Sequence, residues 1–233
     1  PPPPPPPPPP PAPPPPRRPT TTRLKCRRQR QMCIRDRYIG NRSSGRMGFA
    51  VAEAAVEAGA RVTLVAGPVR LDTPRGVERH DVRSALQMRD AVMAAIGSAD
   101  IFIGVAAVAD FRPAHVAEQK IKKDSGAPEF ELLANPDIIA EVAALDGGPL
   151  TIGFAAETEK LREHAMEKLS RKRLDMIAAN RVGQEGSGFE VEENEILLLT
   201  ARGERPLGRG NKRQLARRLI EEVAEVLGPV NRP

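Results

Sequence analysis

The sequence predicts an α/β domain of three layers over residues 38–228, built on a mainly parallel sheet and finished by a C-terminal hairpin. Three observations carry that expectation. Strand-like and helix-like patterns alternate almost throughout, the order that a sheet with crossover helices requires. The run Ile101–Ala109 (IFIGVAAVA) is apolar without interruption, as in a central parallel strand covered on both faces. Near the start, the apolar run Tyr38–Gly40 passes through NRSSGRMG (Asn41–Gly48) into a helical stretch, the strand–glycine loop–helix opening of Rossmann-like domains.

The elements follow in order. Arg46 to Ala58 is rich in Ala, Met and Val, places Arg46, Glu53 and Glu57 on one face, and is closed by Gly59. Arg61–Ala66 reads as a buried strand stopped by Gly67 and Pro68, and Val77–Val82 as a second extended piece. Ser84 to Gln87 is a capping box, followed by an apolar stripe of Met88, Val92 and Ala95. The long apolar run ends at Asp110, which puts a polar group at a strand's carboxyl end, where open α/β sheets bind ligands. A charged stretch, Glu118–Asp124, leads to a strand over Glu129–Leu133. Asn135 then reads as the cap of a helix with Pro136 at its first position. Thr151–Ala156 is a further strand. Leu161, Ala165 and Leu169 mark a helix that sets Lys168 and Lys172 one turn apart. After a short strand at Asp175–Ala179, Glu195–Thr200 and Arg205–Leu207 flank a turn, and the helix Asn211–Leu227 stops at Gly228.

Residues 1–37 differ from the rest. They hold a proline run, an Arg-rich segment and both cysteines, and read either as a stiff polyproline II tether with a basic tail or, the favoured expectation, as a disordered leader foreign to the native protein. MCIRDR (Met32–Arg37) resembles translated sequencing-adapter DNA. Residues 229–233 are expected to be a short tail. The leader's nine basic residues and one acid hold +8 of charge, which leaves −2 of the chain's net +6 for the remainder. The basic balance is therefore no argument for nucleic-acid binding by the domain, and none is expected.

Several chemistries are excluded by what the sequence lacks. From Tyr38 onward there is no cysteine, so neither a disulfide scaffold nor a cysteine nucleophile is available there. The 3 histidines (His80, His115, His164) are scattered, with no spacing for zinc, and no metal ligands are expected. Neither G-x-S-x-G, Walker A nor G-x-G-x-x-G occurs. No apolar run reaches the ~18 to 20 residues of a membrane span, and a cytoplasmic setting is the expectation. What remains is a set of phosphate-binding residue types: the Gly/Ser loop, the Lys120–Lys123 cluster and the Lys168/Lys172 pair. Free N–H groups at a helix start favour anions, and lysines reach flexible phosphates as point charges.

Five motifs then stand in a telling order: NRSSGRMG (Asn41–Gly48), AAVAD (Ala106–Asp110), KIKK (Lys120–Lys123), NPDI (Asn135–Ile138) and GFAAET (Gly153–Thr158). Together they resemble phosphopantothenate–cysteine ligase, the synthetase half of the bifunctional coenzyme A biosynthesis flavoprotein of bacteria. The resemblance implies that CTP activates 4′-phosphopantothenate as an acyl-cytidylate, which L-cysteine then opens. It implies Mg²⁺ carried mainly on the CTP phosphates, and a homodimer. It implies Asn41 as the residue holding the acyl-cytidylate, with Ser43 and Gly45 at the phosphates. Ala106 would lie on the edge that reads cytosine, with Asp110 as a further nucleotide contact. Lys120 would belong to a segment that closes over the site, and Pro136, Asp137, Ile138, Ile139, Phe154, Lys168 and Lys172 would contact CTP. The family reads Asp-Pro-Val-Arg before its aromatic residue. Here IRDR (Ile34–Arg37) stands there, so Arg37 takes the place of the arginine that assists the cysteine step. The flavin-binding half that usually precedes this domain is not in the sequence, so no FMN is expected. Two other readings compete: an NAD(P)-binding reductase, and a non-catalytic nucleotide-binding module.

Overall fold

The computed structural model describes residues 30–33, 38–41, 43–115, 131–157, 159–181 and 193–228. Its main sheet has five strands: β5 (Ile101–Gly104), β8 (Leu150–Glu157), β9 (Met176–Arg181), β10 (Glu193–Thr200) and β11 (Gly203–Asn211). They lie side by side in the order β11, β10, β9, β8, β5. Beside it are three two-stranded ribbons. The parallel pair is β3 (Val62–Ala66) with β4 (Val77–Asp81), and β1 (Arg30–Cys33) with β2 (Tyr38–Asn41) is antiparallel, as is β6 (Phe111–Pro113) with β7 (Leu132–Ala134).

Helices cover both faces of the main sheet. On one side lie α1 (Arg46–Glu57) and α5 (Lys212–Leu227), whose Ala50, Val51, Ala54, Leu215, Leu219 and Val223 meet Ile152, Met176, Ala178, Ile196 and Leu198. On the other lie α3 (Ile138–Ala143) and α4 (Leu161–Lys172), where Ala165 and Leu169 pack on Ala155, Ile177, Ala179 and Leu199. The alternation of Met176 and Ala178 against Ile177 and Ala179 is the two-residue period of a strand buried on both sides. A third cluster joins α2 (Ala85–Ile96) to α3 through Val92, Ile96, Ile138 and Val142.

The three-layer arrangement and the C-terminal hairpin agree with expectation, as does the Ser84/Gln87 capping box. The sheet itself is a correction. It is mixed rather than mainly parallel: β5–β8 and β8–β9 are parallel, β9–β10 and β10–β11 antiparallel. Two residues, Ala201 and Arg202, join β10 to β11, and so short a link permits only an antiparallel return.

The apolar run Ile101–Ala109 also departs from its reading as a central strand. Only Ile101–Gly104 stays in the ladder, and β5 stands at the end of the five-stranded order. Beyond Gly104 the carbonyls turn to side-chain and loop partners. Asn41 Nδ2 donates to Val108 O at 3.0 Å, Asn135 Nδ2 to Ala109 O at 2.9 Å, and the Asn135 N–H to Asp110 O at 2.8 Å. Asn135 is thus spent on that loop. The cap of α3 is Asp137, whose carboxylate accepts from the Ala140 N–H.

The disorder expected across residues 1–37 does not extend to Arg30–Cys33, which pairs with Tyr38–Asn41. The rest of the leader, the charged Glu118–Asp124 stretch and the tail lie outside the described residues.

Close approach of α3 to the sheet depends on two glycines paired in register, Gly104 and Gly153. A Cβ at either would stand 2.9 or 3.2 Å from Ile139 Cδ1. On the opposite face α1 and α5 are tied at the surface by Arg217, whose Nε and Nη2 donate to the two Glu57 carboxylate oxygens at 2.8 and 3.0 Å. That hydrogen bond, ahead of the charge attraction, holds the Glu57 carboxyl below its ordinary value.

Candidate active site

The parallel strands β5, β8 and β9 end at one edge, and the loop after β5 is tied to Asn41 at the end of the separate strand β2. At β2 the chain leaves through Asn41 into Ser43–Gly45, and α1 begins. Ser43 Oγ accepts the Gly45 N–H at 3.4 Å. Gly45 has φ 72°, a left-handed value, and a Cβ there would lie 2.9 Å from Val69 Cγ1. Glycine is therefore required both by backbone conformation and by space. No side chain caps α1, which leaves its first-turn N–H groups available to an anion. The turn reaches the loop after β5: a Cβ at Gly48 would be 3.7 Å from Val105.

The Asn41 amide fastens the two loops together, because its bond to Val108 O spans 67 positions of sequence. From the other side Asn135 holds the same loop, and Arg112 donates to Ala134 O at 2.5 Å and to Asn135 Oδ1 at 3.2 Å. Ala106 and Asp110 stay exposed on this loop. The motifs NRSSGRMG, AAVAD and NPDI thus converge through named hydrogen bonds.

A second group gathers at the end of β8. Lys168 Nζ donates to Glu157 Oε1, and His164 Nδ1 stands 3.4 Å from Glu157 Oε2. Lys172 pairs with Asp137 at 2.8 Å, linking the last turn of α4 to the cap of α3. Both lysines are therefore held by carboxylates, where the sequence alone suggested free charge for phosphate. Pro136 is half-buried, Ile138 is buried against α2, and Ile139 packs over the glycine pair. Phe154 lies half-buried on the α1 and α5 face. Arg37 and Lys120 lie outside the described residues.

One residue escaped the sequence reading. Asn180, next to last in β9, has a buried Oδ1 with no hydrogen-bond partner. In register it neighbours Ala156, and Phe154 sits two residues back on the same face. A buried acceptor left open is costly, so this oxygen is suited to a ligand donor. The available signal was an asparagine closing the apolar run MIAAN.

A concavity of about 350 Å³ between Arg162, Met166, Thr200, Arg202 and Glu204 lies elsewhere. It opens at the β10–β11 turn, by the amino end of β9, where Thr200 pairs with Met176. None of the residues above lines it, so it is set aside as the reaction centre. Among the described residues no three His, Cys, Asp or Glu side chains gather as metal ligands, and no helix is long and apolar enough to cross a membrane.

The model of the DNA/pantothenate metabolism flavoprotein C-terminal domain family matches residues 35–227. The chain belongs to this family. Relatives named coenzyme A biosynthesis bifunctional protein CoaBC include that of Vibrio cholerae, 51% identical over 192 residues, covering 81% of this chain and 48% of that protein. The Escherichia coli K12 protein is 47% identical over 200 residues, covering 84% and 49%. That of Bacillus subtilis is 41% identical over 190 residues, covering 81% and 47%. The chain therefore spans about half the length of these relatives. Among solved structures, the C-terminal domain of a CoaBC protein matches with TM-score 0.67 and 34% identity, covering 79% of this chain and 84% of that one. Cab2, solved with phosphopantothenate-cysteine, shares the fold at TM-score 0.64 and 14% identity, covering 78% and 77%. The family read from five ordered motifs is borne out over nearly the whole of residues 38–228.

Proposed function

We propose that this chain ligates L-cysteine to 4′-phosphopantothenate with consumption of CTP, a step of coenzyme A biosynthesis. A carboxylate oxygen of phosphopantothenate attacks the α-phosphorus of CTP and pyrophosphate leaves. The cysteine amine then attacks the acyl carbon, CMP departs on its phosphate oxygen, and the nitrogen loses a proton. Such chemistry needs orientation and charge neutralisation more than a strong acid or base.

The observation that carries this reading is the bond from Asn41 to Val108 O. It joins the glycine loop to the AAVAD loop, so a nucleotide whose phosphates lie on the α1 start would have its base beside Ala106. In this proposal Asn41 orients the acyl-cytidylate, Ser43 and Gly45 take phosphate oxygens, and Asp110 contacts the nucleotide. Pro136–Ile139 act through their backbone, since Ile138 and Ile139 spend their side chains on packing. Phe154, Lys168 and Lys172 complete the CTP contacts, Lys120 closes the site, and Arg37 assists the cysteine step. Mg²⁺ would be carried mainly on the triphosphate oxygens, where it would neutralise charge. A cytoplasmic homodimer completes the proposal.

Pyrophosphate release tests it. The full chain is expected to release pyrophosphate from CTP in the presence of phosphopantothenate, with ATP a much poorer donor. Equal turnover of both nucleotides would contradict the CTP assignment.

A further inference from the structure

We propose that Glu157 is a positioning residue that aims the Lys168 ammonium at the nucleotide. The inference rests on the reading above, in which Lys168 contacts CTP. Glu157 is the last residue of β8, and its side chain is only 11% exposed. Its Oε1 accepts from Lys168 Nζ, and its Oε2 faces His164 Nδ1 at 3.4 Å. His164 and Lys168 are one turn apart on α4, so both reach the same carboxylate. Held by the ammonium at one oxygen, with the His164 ring close to the other, that carboxylate has little room to turn. An ammonium carries three donors: one goes to Glu157, and two are left for phosphate oxygens. A lysine on a flexible stem would otherwise lose rotamer entropy on each binding event. The Lys172–Asp137 pair is built differently, because Asp137 is 48% exposed and already caps α3.

Steady-state kinetics on the full chain decide the matter. Glu157→Gln keeps the shape and removes the charge. It is expected to raise KM for CTP about tenfold, the equivalent of one charge-assisted hydrogen bond, while kcat and KM for cysteine hold within about twofold. Because Glu157 acts through Lys168, the double variant with Lys168→Ala should be no worse than Lys168→Ala alone. His164→Gln, which replaces the ring beside Oε2, should raise KM for CTP in the same direction by a smaller factor. An unchanged KM in Glu157→Gln, or effects that multiply in the double variant, would overturn the proposal. CTP affinity by calorimetry separates the two readings. If the wild-type chain binds CTP without ligating cysteine, the ligase reading fails, and the Glu157 effect on affinity is still measured.

Discussion

Asn41→Asp is expected to cut pyrophosphate release from CTP and phosphopantothenate about 10²-fold or more, the scale of losing one oriented donor. The cause is local. Asn41 Nδ2 donates to Val108 O at 3.0 Å, and a carboxylate in its place has no proton to give. Two acceptors would then face each other, and the glycine loop and AAVAD loop would part. The added negative charge also lies where the triphosphate is proposed to sit. Stability should fall by only about 0.5–1.5 kcal/mol, the worth of one hydrogen bond made by an exposed residue. Turnover and thermal midpoint measured on the same sample separate the two effects. Undiminished turnover would remove Asn41 from its proposed role.

Leu219→Ala is expected to do the reverse. Leu219 is fully buried in α5, in the core formed with α1 and the sheet strands. Its truncation should cost about 2–5 kcal/mol, transfer and cavity together. For a domain of this size each kcal/mol moves Tm by about 2–4 °C. Calorimetric unfolding reads the loss directly. At a temperature where the variant is still folded, KM for CTP should match wild type, because α5 carries none of the proposed contacts. A midpoint within 2 °C of wild type would contradict the packing described.

Much of this architecture was legible because it rests on local signals. The Ser84 capping box, the helices with apolar stripes and the existence of the hairpin follow from spacing alone, although its turn is Ala201 and Arg202 rather than the four residues 201–204. What misled was the apolar run Ile101–Ala109. Hydrophobicity says that a segment is covered, not that its carbonyls remain in a ladder. Here Asn41 and Asn135, 67 and 26 positions away from their acceptors, take those carbonyls out of the sheet. The same long-range bond explains why Asn135, a good helix cap by sequence, leaves that task to Asp137.

Site residues divide in a similar way. Motif order singled out Asn41, Ala106 and Asp110, and helical spacing paired Lys168 with Lys172, but the lysines' partners were hidden because charge pairing depends on tertiary contact. Glu157 reads as the acidic end of a strand until α4 brings His164 and Lys168 to it. Asn180 becomes visible only when neighbouring strands bury its oxygen without giving it a donor.

An edge that makes and holds an acyl-cytidylate, as proposed, should let that intermediate be caught before cysteine arrives. The most direct measurement is to mix the full chain with CTP, Mg²⁺ and 4′-phosphopantothenate in the absence of cysteine, quench in acid, and examine the products by mass spectrometry. The expected product is a species with the mass of phosphopantothenoyl-cytidylate, formed in step with pyrophosphate. On addition of L-cysteine it should be discharged to phosphopantothenoylcysteine and CMP. Ligated product that forms from CTP without any acyl-cytidylate, or with release of CDP and phosphate in place of CMP and pyrophosphate, would contradict it.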